Sequence, residues 1–214
     1  MKPRTIEVLK NFASINRSIL IREGNVIRTM NPEKTVFAIS EIEDNFPRQF
    51  GIFDLNQLLS SLSLMDDPEL TYESDHILMK KGGAGIKFFY TNERHIKAAP
   101  AKNVQLPDTI MKFTLERSVL EKLLKASAVM KLSNMYITDK GVVCRNPDTT
   151  GNEYTCPIEN FDIPEGSDTE GKIFNINIDS LKILPDTYDV YVTKVALRLV
   201  SQANKTEYII MLNA

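Results

Sequence analysis

The chain has 214 residues, 43 % of them hydrophobic and 25 % charged, with a formal net charge of −2. That fits one large domain or two of roughly 107 residues, and it excludes a disordered chain, a coiled coil and a collagen-like fibre. No apolar run approaches the ~18–20 residues of a membrane span, and MKPRTIEVLKNF turns amphipathic without a signal-peptide stretch, so an untargeted, soluble, intracellular protein with no membrane partner is expected.

In chain order, residues 5–16 read as a helix with Thr5 as N-cap and Ile6, Leu9, Phe12 and Ala13 on one face. SILIREGNVIRT reads as a hairpin around Glu23-Gly24-Asn25. TVFAISEI and FPRQFGIF are further strands. Residues 54–65 form a second helix, capped by Asp54, with Leu55, Leu58, Leu59 and Leu62 as its buried stripe. Strands ELTYES, HILMKK and IKFFYTN follow. Lys81-Gly82-Gly83-Ala84-Gly85 lies between two strand-like runs, so it is a hairpin turn rather than a phosphate loop.

Residues 97–112 carry two prolines and no period, the mark of an extended linker. Then the order restarts. Residues 115–131 form a helix with Val119, Leu120, Leu123, Leu124 and Met130 inward. MYITDKGVVCR is a hairpin around Asp139-Lys140-Gly141, and YTCPIENFDI and KIFNINI are strands. Residues 178–185 form a short helix that Pro185 ends. TYDVYVTK, ALRLVSQ and EYIIML close the chain.

This order is an internal duplication. The boundaries are a first domain at 1–98, a linker at 99–111 and a second domain at 112–214. Helix 5–16 matches helix 115–131, Gly24 matches Gly141, Arg28 approximately matches Arg145, and Leu58 matches Leu181. The fold class is α+β, with helices on one face of an antiparallel sheet in each unit. Open sheet edges invite pairing with another chain, and head-to-tail pairing closes into a ring where the angle suits.

The chain offers little for catalysis. His76 and His95 have no metal-ligand spacing around them, and there is no G-x-S-x-G, H-E-x-x-H or P-loop. Asp66-Asp67 before Pro68 is turn chemistry. Cys144 and Cys156 sit in strand-like text as buried free thiols. No enzyme activity and no cofactor or metal are expected. The helix surfaces say more. Opposite the apolar stripes stand Lys10, with Arg17 just beyond the first helix; Lys122, Lys125 and Lys131 on the third; and Lys182 on the fourth. Lys97 and Lys102 of the linker add to them, and Glu7, Glu116 and Glu121 dilute the pattern. An acidic protein with lysine-bearing helices has the composition of a positive lining on an acidic body.

The chain resembles the DNA polymerase sliding clamps of T-even-type bacteriophages, viral counterparts of proliferating cell nuclear antigen. The resemblance is collinear over nearly the whole chain. It rests on Leu9-Lys10-Asn11-Phe12-Ala13 with Ile15-Asn16, Phe53-Asp54-Leu55-Asn56 with Leu62-Ser63-Leu64 and Asp66-Asp67, and Ala99-Pro100-Ala101-Lys102 with Leu106-Pro107. Leu123-Leu124-Lys125 with Ser127, and Asn177 to Pro185 with Lys182, complete it. Ala128 departs from it, standing where a basic residue is expected, and little tail follows the last strand. The resemblance implies a homotrimeric ring of six units that encircles duplex DNA without reading its sequence. It also implies that the ring tethers the replicative polymerase, is placed by an ATP-driven clamp loader, and supports late transcription by the host RNA polymerase. The cytoplasm of the infected bacterium is the implied location. Lys10, Arg17, Lys122, Lys125, Lys131 and Lys182 would face DNA, and Val104, Leu106 and Pro107 would form one wall of a partner pocket near the linker. The alternatives are a monomeric processivity factor, which would need a continuous basic face, and a small enzyme with an unrecognised site.

Overall fold

The computed structural model describes residues 1–138, 140–147, 151–158, 161–164 and 172–213. The chain forms two compact units, Met1–Asn103 and Val104–Ala214.

Unit one begins with helix α1, Pro3–Ile15. Pro3 starts it, since a fixed φ and a missing N–H suit the first turn. Thr5 is therefore not the cap. It lies inside the helix, fully buried, with its hydroxyl unpartnered among the described residues. Val8, Leu9, Phe12, Ala13 and Ile15 are also buried, whereas Ile6 is only partly so. Strand β1 (Ile19–Ile21) pairs with β4 (Phe50–Ile52), while β2 (Gly24–Met30) pairs with β3 (Val36–Phe46). The expected hairpin at Glu23-Gly24-Asn25 is thus a crossover between two pairs. Gly24, at φ 103, turns the chain away from its predecessor.

Helix α2, Leu55–Ser63, forms as expected. Asp54 caps it by accepting from the Gln57 N–H at 3.2 Å, and Leu55, Leu58, Leu59 and Leu62 are buried. Each such side chain contributes about 1.5–3 kcal/mol through its removal from water. Strands β5 (Glu69–Tyr72), β6 (His76–Lys81) and β7 (Ala84–Phe89) make an antiparallel meander. Lys81 pairs with Ala84 across the expected turn, where Gly82 takes φ 57. In this sheet β7 is a terminal strand.

Unit two opens with a strand the sequence reading missed, β8 (Met111–Leu115), whose Met111, Phe113 and Leu115 are buried in alternation. Leu115 therefore belongs to a strand, and helix α3 starts later, at Arg117–Met130. Its buried residues are Leu120, Leu123 and Ser127; Val119, Leu124 and Met130 are half-exposed. Strands β9 (Asn134–Thr138), β10 (Gly141–Arg145), β11 (Glu153–Pro157) and β12 (Phe174–Asn177) form one sheet in the order β11-β10-β9-β12. The β9–β10 hairpin is the expected one, although Asp139 at its tip lies outside the described residues. Cys144 on β10 is buried and Cys156 on β11 half-exposed, so only one of the two thiols is enclosed as expected.

The expected fourth helix is a single 3-10 turn, Ile178–Ser180. The cause lies in two tyrosines. Leu184 donates its N–H to the Tyr208 hydroxyl at 3.2 Å, and its carbonyl accepts from the Tyr188 hydroxyl at 2.6 Å. Both tyrosines are fully buried, and they take the backbone groups that a helix would need. Strands β13 (Tyr188–Val192), β14 (Ala196–Ser201) and β15 (Thr206–Met211) follow, with β8 pairing on β13.

The pairings repeat between units. β1–β4 corresponds to β9–β12, β2–β3 to β10–β11, and β5-β6-β7 to β13-β14-β15, with α1 and α3 in equivalent places. β8 has no counterpart in unit one.

Candidate nucleic-acid interface

In unit one, α1 packs against α2, β2 and β3. Burying Leu9, Phe12 and Ala13 forces Lys10 and Ser14 outward, and both are exposed. Lys10 also lines a groove of about 760 Å³ at the start of α1, floored by Ile6, Leu59 and Leu62. Asp44, Asp66 and Asp67 stand on the same groove and temper its charge. Arg17 is exposed but engaged, because its guanidinium pairs with Asp54, the N-cap of α2. That hydrogen bond holds the Asp54 carboxyl below its usual range and raises Arg17.

In unit two, α3 packs on β10 and β11 and leaves Lys122 and Lys125 exposed on its outer side. Arg117 pairs with Glu121 at 2.7 Å along the same helix. Lys131 is the C-cap, left-handed at φ 54, where a cation suits the helix dipole. Val129, 75 % exposed, interrupts the basic face. Lys182 is exposed between the buried Leu181 and Ile183, and it stands on an extended stretch rather than on a helix face. In the extended segment after unit one, Val104 and Leu106 are half-buried and Pro107 is exposed. Among the described residues no three His, Cys, Asp or Glu side chains are grouped to hold a metal, and no helix is long and apolar enough to cross a membrane.

Sequence reading missed the anchoring of residues 97–103. Asn16 donates to the Met30 carbonyl at 2.8 Å and reaches the Lys97 carbonyl at 3.5 Å. The Lys97 ammonium donates to the Pro32 carbonyl. Arg22 donates to the Ala99 carbonyl at 3.0 Å, and Arg28 to the Asn103 side-chain oxygen at 2.9 Å. The four bonds that hold residues 97–103 join partners 65 to 81 residues apart, beyond any local signal.

Helix-on-sheet units repeated within one chain define the DNA clamp class. In fold the chain is similar to Archaeoglobus fulgidus PCNA, solved with a C-terminal region of FEN-1, at a TM-score of 0.68 and 13 % identity over 98 % of this chain and 94 % of that one. Residues 2–86 match the DNA polymerase processivity factor family. Over 87 % of this chain and 86 % of the relative, it is 34 % identical to the sliding clamp of Vibrio phage KVP40. It is 28 % identical to the sliding clamp of Escherichia phage RB69, over 98 % and 95 % of the two chains. The chain belongs to the phage sliding clamp family.

Proposed function

We propose that the protein encircles duplex DNA as a closed ring and tethers the replicative polymerase for processive viral replication. The observation that carries this reading is the division of the helices, in a chain of this family, into a buried apolar side and an exposed basic side. Lys10 stands opposite Leu9 and Phe12, and Lys122 and Lys125 opposite Leu120 and Leu123. With Arg17, Lys131 and Lys182 they supply a sequence-independent, salt-sensitive attraction for phosphates. Topological enclosure lets weak contacts suffice, and it needs no catalysis from this chain.

Two terminal strands support ring closure. On β7, Ala84, Gly85, Lys87 and Phe89 are exposed; on β11, Glu153, Thr155 and Pro157 are. Pairing β7 of one copy with β11 of the next would be head-to-tail, and two units per chain suit a homotrimer. Domains 1–98 and 112–214 are then joined by the linker 99–111, with Val104, Leu106 and Pro107 forming a wall for partner tails. An ATP-driven loader opens the ring, and late transcription uses the same tether, all in the cytoplasm of the infected host. Loader-dependent primer extension tests this. The chain should lengthen products only with loader and ATP, and should release no phosphate by itself. Extension indifferent to the chain, or ATP turnover lost on mutating one of its own residues, would refute the reading.

A further inference from the structure

The chain covers one of its own sheet edges. In unit two, β8 pairs with β13 on one side and ends its sheet. On the outer edge of such a strand every second residue points its N–H and C=O away from the sheet. Lys112 is one of these residues. It donates to the Asp162 carbonyl at 2.8 Å and accepts from the Asp162 N–H at 2.8 Å. The two residues form an isolated antiparallel bridge. Strand alternation turns the backbone of Thr114 the same way as that of Lys112.

The side chains follow the bridge. In an antiparallel pair the neighbours of Lys112 and Asp162 also stand opposite each other, so Phe161 faces Phe113 and Ile163 faces Met111. The rings of Phe113 and Phe161 lie 5.2 Å apart with a tilt of 56°. Met111 and Phe113 belong to the buried face of β8, so Phe161 and Ile163 extend that face beyond the last strand. On the other face Asp162 stands across from Lys112, whose ammonium lies 5.2 Å from the centre of the Tyr191 ring. The cover is thin. Phe161 is half-exposed, Asp162 is exposed, and Ile163 is 37 % exposed. Pro164 follows at once and has no N–H with which to continue the ladder.

We propose that the outer edge of β8 is a strand-addition site for an extended partner peptide of aromatic-acidic-aliphatic pattern, which the chain's own Phe161-Asp162-Ile163 occupies as a placeholder. The placeholder shows the chemistry of the ligand. Main-chain bonds to Lys112 supply the pairing, an aromatic ring rests on Phe113, an aliphatic side chain on Met111, and a carboxylate stands across from the Lys112 ammonium. A partner strand that runs further than the placeholder also pairs with Thr114 and sets an apolar side chain opposite Leu115. Strand addition draws its affinity from main-chain bonds and its specificity from alternate side chains, and this edge offers both. Residues 161–163 leave the edge when the partner arrives, while β8 stays held by β13.

The probe is the blocked pentapeptide Val-Thr-Phe-Asp-Ile, whose Asp takes the place of Asp162 and whose Thr falls opposite Thr114. Its control is the same peptide methylated on the Asp nitrogen, which cannot donate to the Lys112 carbonyl. Binding to the full chain is followed by NMR at the amides of Lys112, Thr114 and Asp162. The probe should move all three signals and should bind the Phe161→Ala variant about tenfold more tightly than the parent, because the placeholder no longer competes. The methylated peptide should bind both proteins at least tenfold more weakly than the probe. Equal binding of the two peptides, equal binding of the probe to variant and parent, or no binding to the variant at millimolar concentration would overturn the proposal. Should the variant fail to fold, hydrogen exchange in the parent decides. The Lys112 and Asp162 amides should exchange together and at least tenfold faster than the Phe113 amide, which alternation turns toward β13. Exchange of all three at one rate would show that the placeholder opens only with the whole strand, and would equally overturn the site.

Discussion

Arg17, at the exit of α1, holds Asp54, at the entrance of α2, although 37 residues separate them. The Arg17 carbonyl also accepts from the Leu55 N–H at 2.8 Å. The two helices are therefore joined through both side chain and backbone, and the orientation of α2 depends on a residue that the sequence suggested only as a phosphate contact.

Asp54→Ala should destabilise unit one by about 1 kcal/mol, the usual cost of a lost N-cap, and Asp54→Asn by less. Arg17 holds the Asp54 carboxyl below its ordinary value, with the Gln57 N–H assisting. The unfolded chain thus binds that proton at higher pH than the folded chain does. The stabilisation is complete above the ordinary aspartate pKa of about 4 and is lost as pH falls through the lower folded value. In Arg17→Ala the Asp54 titration, followed by side-chain carbonyl NMR, should move up toward the ordinary value. The stability gap between variant and parent in urea should close on acidification.

Two glycines should respond differently to alanine. Gly141 has φ 148, and a Cβ there would lie 2.6 Å from the Cys156 carbonyl oxygen and 3.2 Å from Pro157 Cα, both backbone atoms. Gly24 has φ 103 with open space around it. Gly24→Ala carries conformational strain alone, roughly 1 kcal/mol, whereas Gly141→Ala must also displace β11 and should cost about 2–3 kcal/mol. Urea midpoints of the two variants check the order.

Phe89 is 61 % exposed on the terminal strand β7. If that strand joins copies, Phe89→Asp should shift the sedimenting mass from three times 24.3 kDa toward 24.3 kDa, with the circular dichroism spectrum unchanged. A parent protein that stays at the single-chain mass at every concentration would refute the ring.

Lys10→Glu with Lys125→Glu should shorten loader-dependent extension products relative to the parent, most at low salt where the charges are least screened, without loss of fold, since both side chains are exposed. Single alanine changes should be mild, because each exposed charge is screened over ~8–10 Å at physiological salt. Extension lengths across a salt series decide. Unchanged products at every salt would remove these lysines from the DNA path.

What could be read from sequence was what local chemistry fixes. Asp54 followed by leucines at 55, 58, 59 and 62 gives both the cap and the buried stripe of α2, and Gly82-Gly83 between two strands gives the turn. The exposure of Lys10, Lys122 and Lys125 followed from the apolar positions beside them. Where distant groups compete for the backbone, local reading failed. Residues 178–185 read as a helix, but Tyr188 and Tyr208 claim both polar groups of Leu184. A turn signal follows β1 and points to β2, yet β1 finds its partner in β4. The proline-bearing stretch hid β8, whose alternation begins only at Met111. The engagement of Arg17 and the anchoring of residues 97–103 depend on partners far along the chain and left no local mark.

The unequal enclosure of the two thiols gives unit two an internal clock. Burial raises the pKa of Cys144, so its thiolate is scarce as well as shielded, whereas Cys156 on the neighbouring strand is half-exposed. A thiol reagent should therefore label Cys156 promptly and Cys144 only when β10 opens to solvent. The slow phase of labelling then reports the opening rate of this sheet in the native protein, and any assembly that covers β11 would reveal itself by slowing the fast phase.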